Sequence, residues 1–328
     1  MPRAWTLAAR PQGTPRPSDF AIVDLPPRDL AEGEVRVANR WLSVDPYMRG
    51  RMNDVKSYVP PFQIGEPMEG GAVGEVVESR DPSLKAGDLV LHMLGWRDEA
   101  VGPAAGFRKL PDLGAPPQAF LGQLGMPGMT GYFGLLEVAQ ATAGDTVFVS
   151  AAAGAVGSTV VQVAKAKGMT VIGSAGGAEK VAWVRSLGAD AVIDYKAGPM
   201  AKALAEAAPK GIDVYFDNVG GDHLDAALAS ARPNARFAIC GMIDVYNDAK
   251  PTQLKYLARL IGNRVRMQGF IVSDYMDRAG EFYRDMAALL AAGKLKGEET
   301  IHDGLDATPD AFMGLFSGGN TGKMLVRL

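Results

Sequence analysis

Thr146-Val147-Phe148-Val149-Ser150-Ala151-Ala152-Ala153-Gly154-Ala155-Val156-Gly157 decides the fold of this 328-residue chain. Thr146 to Ser150 is a short apolar run, rich in β-branched and aromatic residues, of the kind that forms a buried strand. From Val156 to Lys167, the residues Val156, Val160, Val163 and Ala164 fall on one helical face, and Gly168 ends the pattern. The turn between them reads as G-x-G-x-x-G with Ala152 in the first glycine position. Gly154 lets the backbone approach a pyrophosphate, and Gly157 lets the helix pack closely. The helix N-terminus favours the anion through its unpaired N–H groups and its dipole. Such glycines also serve ordinary turns, so the decisive point is the setting of strand before and helix after.

Downstream, the alternation continues. Met169 to Gly173 is a strand, about Glu179 to Leu187 a helix, and Ala191 to Asp194 a strand after Gly188. Ile212 to Phe216 and Ala235 to Ile239 add two more strands. Repeated βαβ units predict a doubly wound parallel sheet, the Rossmann arrangement. Upstream, to about residue 120, Pro and Gly punctuate short alternating segments such as Glu34 to Ala38, Gly74 to Glu78 and Asp88 to His92. That is the pattern of a β-rich, barrel-like domain. Gly131 to Glu137 reads as a helix, as do about Asp274 to Ala292 and Pro309 to Phe316. The tail ends in a strand, Lys323 to Val326, whose partner the pattern does not reveal.

A net charge of -3 and a pI near 5.7 provide no basic footprint for nucleic acid. Lys and Arg are scattered, which also argues against an anionic membrane surface. No apolar run approaches the roughly 20 residues of a spanning helix. The Pro- and Gly-containing start is unlike a secretory signal, so the expected compartment is the cytoplasm. One cysteine, Cys240, allows no internal disulfide and suits a reducing environment.

The dinucleotide is decided at the end of the second strand of this unit, where an NAD site carries an acid for the ribose 2′-hydroxyl. Here stands Ser174-Ala175-Gly176-Gly177, with no acid before Glu179. Ser174 is a candidate contact, and Lys180 follows as a candidate partner for a 2′-phosphate, so NADPH is the expected cofactor. Taken alone, Lys180 reads more readily as a solvated helix-surface lysine; the missing acid tips the choice to NADPH.

Several stretches together resemble the zinc-independent medium-chain dehydrogenase/reductases, close to the prostaglandin and leukotriene reductases, plant alkenal double-bond reductases and bacterial curcumin reductase. They are Val44-Asp45-Pro46-Tyr47-Met48-Arg49, Gly125-Met126-Pro127-Gly128-Met129-Thr130, the Ala151 to Gly157 loop and Asp217-Asn218-Val219-Gly220-Gly221. Cys240-Gly241 with Tyr246-Asn247, and Gly319-Asn320 before Gly322-Lys323, complete the set in family order. The resemblance implies a GroES-like catalytic domain over about residues 1–120, completed by about residues 298–328, around a Rossmann domain over about residues 121–297. It also implies a homodimer. By the same resemblance Gly154, Ala155, Val156, Gly157, Lys180, Tyr195, Asn218, Cys240, Tyr246, Phe270 and Asn320 line the NADPH site. Tyr47, Met126 and Met129 are candidates for the substrate pocket, with core packing the competing reading for both methionines.

Zinc relatives present Gly-His-Glu where this chain has Gly65-Glu66-Pro67. The candidate ligands Cys240, His92, His223 and His302 show no ligand spacing, and the three histidines read as surface or turn residues. Without a Lewis acid, hydride transfer to an activated carbon–carbon double bond makes the smaller demand, because a conjugated carbonyl delocalises the developing charge. The expected reaction is NADPH-dependent reduction of a hydrophobic enone or alkenal, with Tyr246 donating to the carbonyl or enolate oxygen. An NADPH quinone oxidoreductase and a non-catalytic NADPH-binding protein are the alternatives left open.

Overall fold

Runs such as Val147-Phe148-Val149 and Val171-Ile172, apolar at every position, have no solvent face to offer and are fully or nearly fully buried. They lie in a six-stranded sheet of the computed structural model, which describes residues 1–247 and 252–328. The sheet runs Ala191–Asp194, Thr170–Ala175, Thr146–Val149, Ile212–Asp217, Ala231–Ile239, Arg266–Gly269, all neighbours parallel. In chain order that is 3-2-1-4-5-6, the doubly wound order whose direction reverses between Thr146–Val149 and Ile212–Asp217. This sheet belongs to one compact unit, residues 122–298.

Aromatic packing holds the sheet centre. Phe148 stacks on Tyr215 at 5.0 Å, and Tyr215 meets Phe237 edge-on at 5.3 Å. Ile172, Leu204, Ile212 and Leu224 join the same core. The strand Arg266–Gly269 was not expected from sequence: all four of its residues are exposed at the sheet edge, so no apolar alternation marks it. Met126–Phe133 is α-helical and then widens into a π-helical turn over Gly134–Val138. Gly134 is required there, since a Cβ would lie 2.4 Å from Phe270 and 2.6 Å from Phe216.

The other unit comprises residues 1–121 and 299–328. Its larger sheet runs Glu299–Asp303, Lys323–Arg327, Glu34–Ser43, Ala72–Ser79, Leu89–His92, Arg108–Lys109, with Glu99–Pro103 also paired to Glu34–Ser43. The tail strand therefore finds its partners at Trp41–Ser43, antiparallel, and at Glu299–Asp303, parallel. Two irregularities in the long strand, at Arg36/Val37 and Asn39/Trp41, bend the sheet. Trp96, fully buried, packs between Phe20 at 5.8 Å and Phe312 at 5.7 Å.

In a parallel sheet every strand delivers its C-terminal end to the same edge. Ser150, Gly176, Tyr195, Asn218, Cys240 and Phe270 each directly follow one of the six strands or lie next to its last residue. Six distant stretches of sequence thus meet along one rim.

Candidate active site

The glycine loop meets its helix as its spacing requires. Gly154 precedes the helix Ala155–Ala166 without any side-chain cap, leaving the N–H groups of the first turn for an outside acceptor. A Cβ on Gly157 would lie 2.4 Å from the Ala151 carbonyl oxygen and 2.8 Å from Ala152 Cα, so the helix start presses on the loop itself. At Gly154 the same atom would meet only the Ala151 carbonyl, at 3.3 Å. Packing inside the protein thus explains Gly157. Gly154 keeps the loop bare toward an incoming group, as a pyrophosphate would need. Ala151, with φ +47°, makes the left-handed turn, and Ala152 is buried with its N–H donating to the Ser174 carbonyl at 2.9 Å.

Ser174 itself is fully buried, and its hydroxyl has no hydrogen-bond partner among the described residues. Its visible role runs through the backbone, which fastens the glycine loop; a side-chain contact from the surface is closed off. Beyond the strand, Gly176 lies beneath two side chains. A Cβ there would sit 2.7 Å from the Tyr195 hydroxyl oxygen and 2.9 Å from Lys196 Cε. Gly177, at φ +93°, leads into the helix Ala178–Ser186, which carries half-buried Lys180. Burial first, and then the charge of Lys196, pushes the Lys180 ammonium below its ordinary pKa, while Glu179 opposes the shift. Lys196 is a residue that the sequence reading passed over; its adjacency to Tyr195 was the available signal.

At the reversal point of the sheet, Asn218 donates its backbone N–H to Ser150 Oγ at 2.9 Å and its Nδ2 to the Ser150 carbonyl at 2.8 Å. Fully buried Asp217 braces the turn. Its Oδ1 accepts from Tyr215 Oη at 2.7 Å, Val219 N at 2.9 Å and Gly220 N at 2.8 Å. Burial nonetheless holds the Asp217 carboxyl above its usual range. Cys240 is half-buried, and desolvation with the nearby Asp217 pushes its thiol up to about 12. It is therefore a neutral thiol at physiological pH, poor as a nucleophile or metal ligand.

Tyr246 follows the turn Ile243–Val245 and folds back over its own loop. Its hydroxyl accepts the Met242 N–H at 3.3 Å and would lie 3.0 Å from a Cβ on Gly241. Phe270 packs edge-on against Phe216 at 6.2 Å, half-buried at the same rim.

The methionines divide. Met126, at the start of its helix, is exposed, whereas Met129 is 1% exposed and belongs to the core. In the unit formed by residues 1–121 and 299–328, the Tyr47 hydroxyl is buried and finds no hydrogen-bond partner among the described residues. Burial first, then Asp45, raises its pKa, so it keeps its proton. Asn320 spends its Nδ2 on the Gly322 carbonyl at 2.8 Å, within its turn. Lys323 is buried: its ammonium donates to the Val44 and Met324 carbonyls at 2.8 Å each and pairs with Asp45 at 3.2 Å.

The expectation of three surface or turn histidines fails for two of them. His92 and His223 are 3% and 7% exposed, and burial lowers them to about 3 and about 4. His92 faces inward from a strand against Phe107, and His223 from a helix against Phe148 and Tyr195. Among the described residues no group of three or more His, Cys, Asp or Glu side chains comes together to hold a metal ion.

Two family models match: an N-terminal domain of oxidoreductases over residues 3–110, and one described as zinc-binding dehydrogenase over residues 155–292. The NADPH-dependent curcumin reductase of Escherichia coli is 44% identical, over 99% of this chain and 96% of its own length. A 2-alkenal reductase (NADP(+)-dependent) of Nicotiana tabacum is 43% identical, over 96% and 94%. The crystal structure of CurA from Vibrio vulnificus in complex with NADPH superposes with a TM-score of 0.94 at 44% identity, covering 99% of this chain and 98% of that one. Similarity of this extent, running through both units, settles the relationship: the chain belongs to the zinc-independent medium-chain dehydrogenases/reductases, in the family of the alkenal and prostaglandin reductases.

Proposed function

We propose that this protein reduces the carbon–carbon double bond of α,β-unsaturated aldehydes or ketones with NADPH. The observation that carries this reading is the end-to-end match to reductases named for curcumin and 2-alkenals, and to a solved structure in complex with NADPH. Three features support the reading. Gly154 is bare before an uncapped helix, no acid closes the second strand, and Lys180 and Tyr195 follow the second and third strands of the sheet order in the chain. Gly154, Ala155, Val156 and Gly157 would hold the pyrophosphate, and Asn218, Cys240 and Phe270 the remainder of the cofactor.

Bound there, the nicotinamide supplies a hydride for the substrate's β-carbon. The protein's own task is to orient the enone and stabilise the oxygen on which charge develops. We assign that oxygen to the Tyr246 hydroxyl, which also accepts the Met242 N–H. Within residues 122–298, exposed Met126 is the candidate for contact with an apolar substrate.

A homodimer is part of the same reading. The edge strand Arg266–Gly269 is exposed at all four residues, as are nearby Leu257 and Ile261, which is an unusual surface to leave in water. The expected compartment is the cytoplasm, in keeping with a free thiol at Cys240; among the described residues no helix is long and apolar enough to cross a membrane.

The test is an NADPH-oxidation screen over alkenals, cyclic enones and quinones, repeated with NADH. Turnover of alkenals or enones with NADPH supports the reading. Turnover confined to quinones would replace it with the quinone reductase alternative.

A further inference from the structure

The helix Met126–Phe133 widens at its end into the π-helical turn Gly134–Val138. There the Ala139 N–H reaches back five residues, to the Gly134 carbonyl at 2.9 Å, instead of the usual four. Such single wide turns are rare inside helices and occur frequently at functional sites. What this one carries is the segment Arg266 to Arg278, which holds the last strand of the parallel sheet and the turn after it.

The segment is fastened at four points. Arg266 donates to the Val138 carbonyl at 2.8 Å. The Phe270 ring lies over Gly134, where a Cβ would stand 2.4 Å from its Cζ. Tyr275 stacks on Phe133 at 5.1 Å, and Arg278 pairs with Glu137 at 3.0 Å. The strand Arg266–Gly269 is the sheet edge and is exposed at every residue, so little else fixes the rim residue that follows it.

We propose that Gly134 is a positioning residue for the double-bond reduction: the wide turn that it opens seats Phe270 at the rim. The proposal rests on the reading above that NADPH lies along this rim. A misplacement of about 1 Å at a reacting centre can cost about 100-fold in rate, so the seat of a lining ring matters. A methyl group at Gly134 meets two rings. Phe216, at 2.6 Å, is fully buried in the middle of the sheet, whereas Phe270 is half-buried at its edge. Phe270 is therefore the ring that yields. The glycine loop of Gly154 to Gly157 follows a different strand, so cofactor affinity is largely spared.

The experiment compares Gly134→Ala, Phe270→Ala and the double variant with the unaltered protein. It measures kcat on one 2-alkenal, NADPH affinity by fluorescence titration, and hydrogen exchange without cofactor. In Gly134→Ala, kcat is expected to fall roughly 10- to 100-fold, with affinity kept within about threefold. Exchange should quicken across Arg266 to Arg278 while Thr146–Val149 keeps its protection. In the Phe270→Ala background the same substitution should cost less than about twofold more, because the ring it displaces is gone. Should Gly134→Ala fail to fold, Arg278→Gln carries the test, since it loosens the same segment from the half-buried surface. It should lower kcat roughly threefold and quicken exchange in that segment alone.

Unchanged kcat in Gly134→Ala, an equal loss in the Phe270→Ala background, or exchange quickened throughout the sheet overturns the proposal. So does an Arg278→Gln enzyme with unaltered kcat and exchange. A Phe270→Ala enzyme with full turnover and unchanged affinity removes Phe270 from the cofactor reading itself, and the proposal with it.

Discussion

The Tyr246 hydroxyl accepts the Met242 backbone N–H at 3.3 Å, so a loop residue that sequence alone could not orient is fixed by its own turn. Removing the hydroxyl in Tyr246→Phe removes the donor assigned to the enolate oxygen while leaving the ring in place. The expected effect is a fall in kcat of roughly 10- to 100-fold, with NADPH affinity nearly unchanged. Steady-state kinetics with a 2-alkenal and cofactor titration by fluorescence check the two halves; full turnover by Tyr246→Phe would remove the residue from the mechanism.

The two glycines of the loop should separate folding from binding. Gly157→Ala places a Cβ 2.4 Å from the Ala151 carbonyl and should destabilise the unit by about 1–3 kcal/mol, read by urea unfolding. Gly154→Ala meets only one atom, at 3.3 Å, and should leave stability intact while weakening NADPH roughly tenfold or more. Equal loss of stability in both variants would contradict the assignment.

Acid sensitivity should follow His223. Its folded-state pKa, about 4, lies below the ordinary value of 6.5, because burial disfavours the charged ring. Between those values the unfolded chain binds the proton and the folded protein does not. The contribution of neutral His223 is therefore complete above pH 6.5 and is lost as pH falls toward 4. Thermal unfolding from pH 7 to 4.5 should show a steeper decline for the unaltered protein than for His223→Phe. Parallel curves would mean that the ring is not held neutral.

The Lys323–Asp45 pair should behave as a buried ion pair. Lys323→Met leaves Asp45 buried without its ammonium partner, and is expected to cost about 3–5 kcal/mol in chemical denaturation. Removing both charges in Lys323→Met/Asp45→Leu should recover much of that loss. A double variant as unstable as the single one would show that geometry, not charge balance, is what the pair supplies.

The parallel sheet was legible because its inner strands are buried on both faces and are written as continuous apolar runs, Val147 to Val149 above all. Its last strand, Arg266–Gly269, was not, because an exposed edge demands no apolar pattern. The partner of Lys323–Arg327 was equally hidden from periodicity. Its pairing with Trp41–Ser43 joins opposite ends of the chain, and only the family resemblance pointed there.

Within the site, what is local was readable. Gly154, Gly157 and the missing acid after Ala175 are statements about one turn at a time. Lys196 over Gly176, and Asp217 tying Tyr215 to Val219 and Gly220, arise when separate strands end at one rim. His92 and His223 were misjudged for a related reason. A neutral imidazole packs like a small aromatic ring, and nothing in the neighbouring sequence distinguishes that use from a solvated one.

The most direct measurement is product analysis after reaction of a 2-alkenal with NADPH carrying deuterium at the transferable position. Reduction of the carbon–carbon double bond predicts a saturated aldehyde with the deuterium on the β-carbon. An allylic alcohol with deuterium on the former carbonyl carbon, or no deuterium transfer at all, would contradict it.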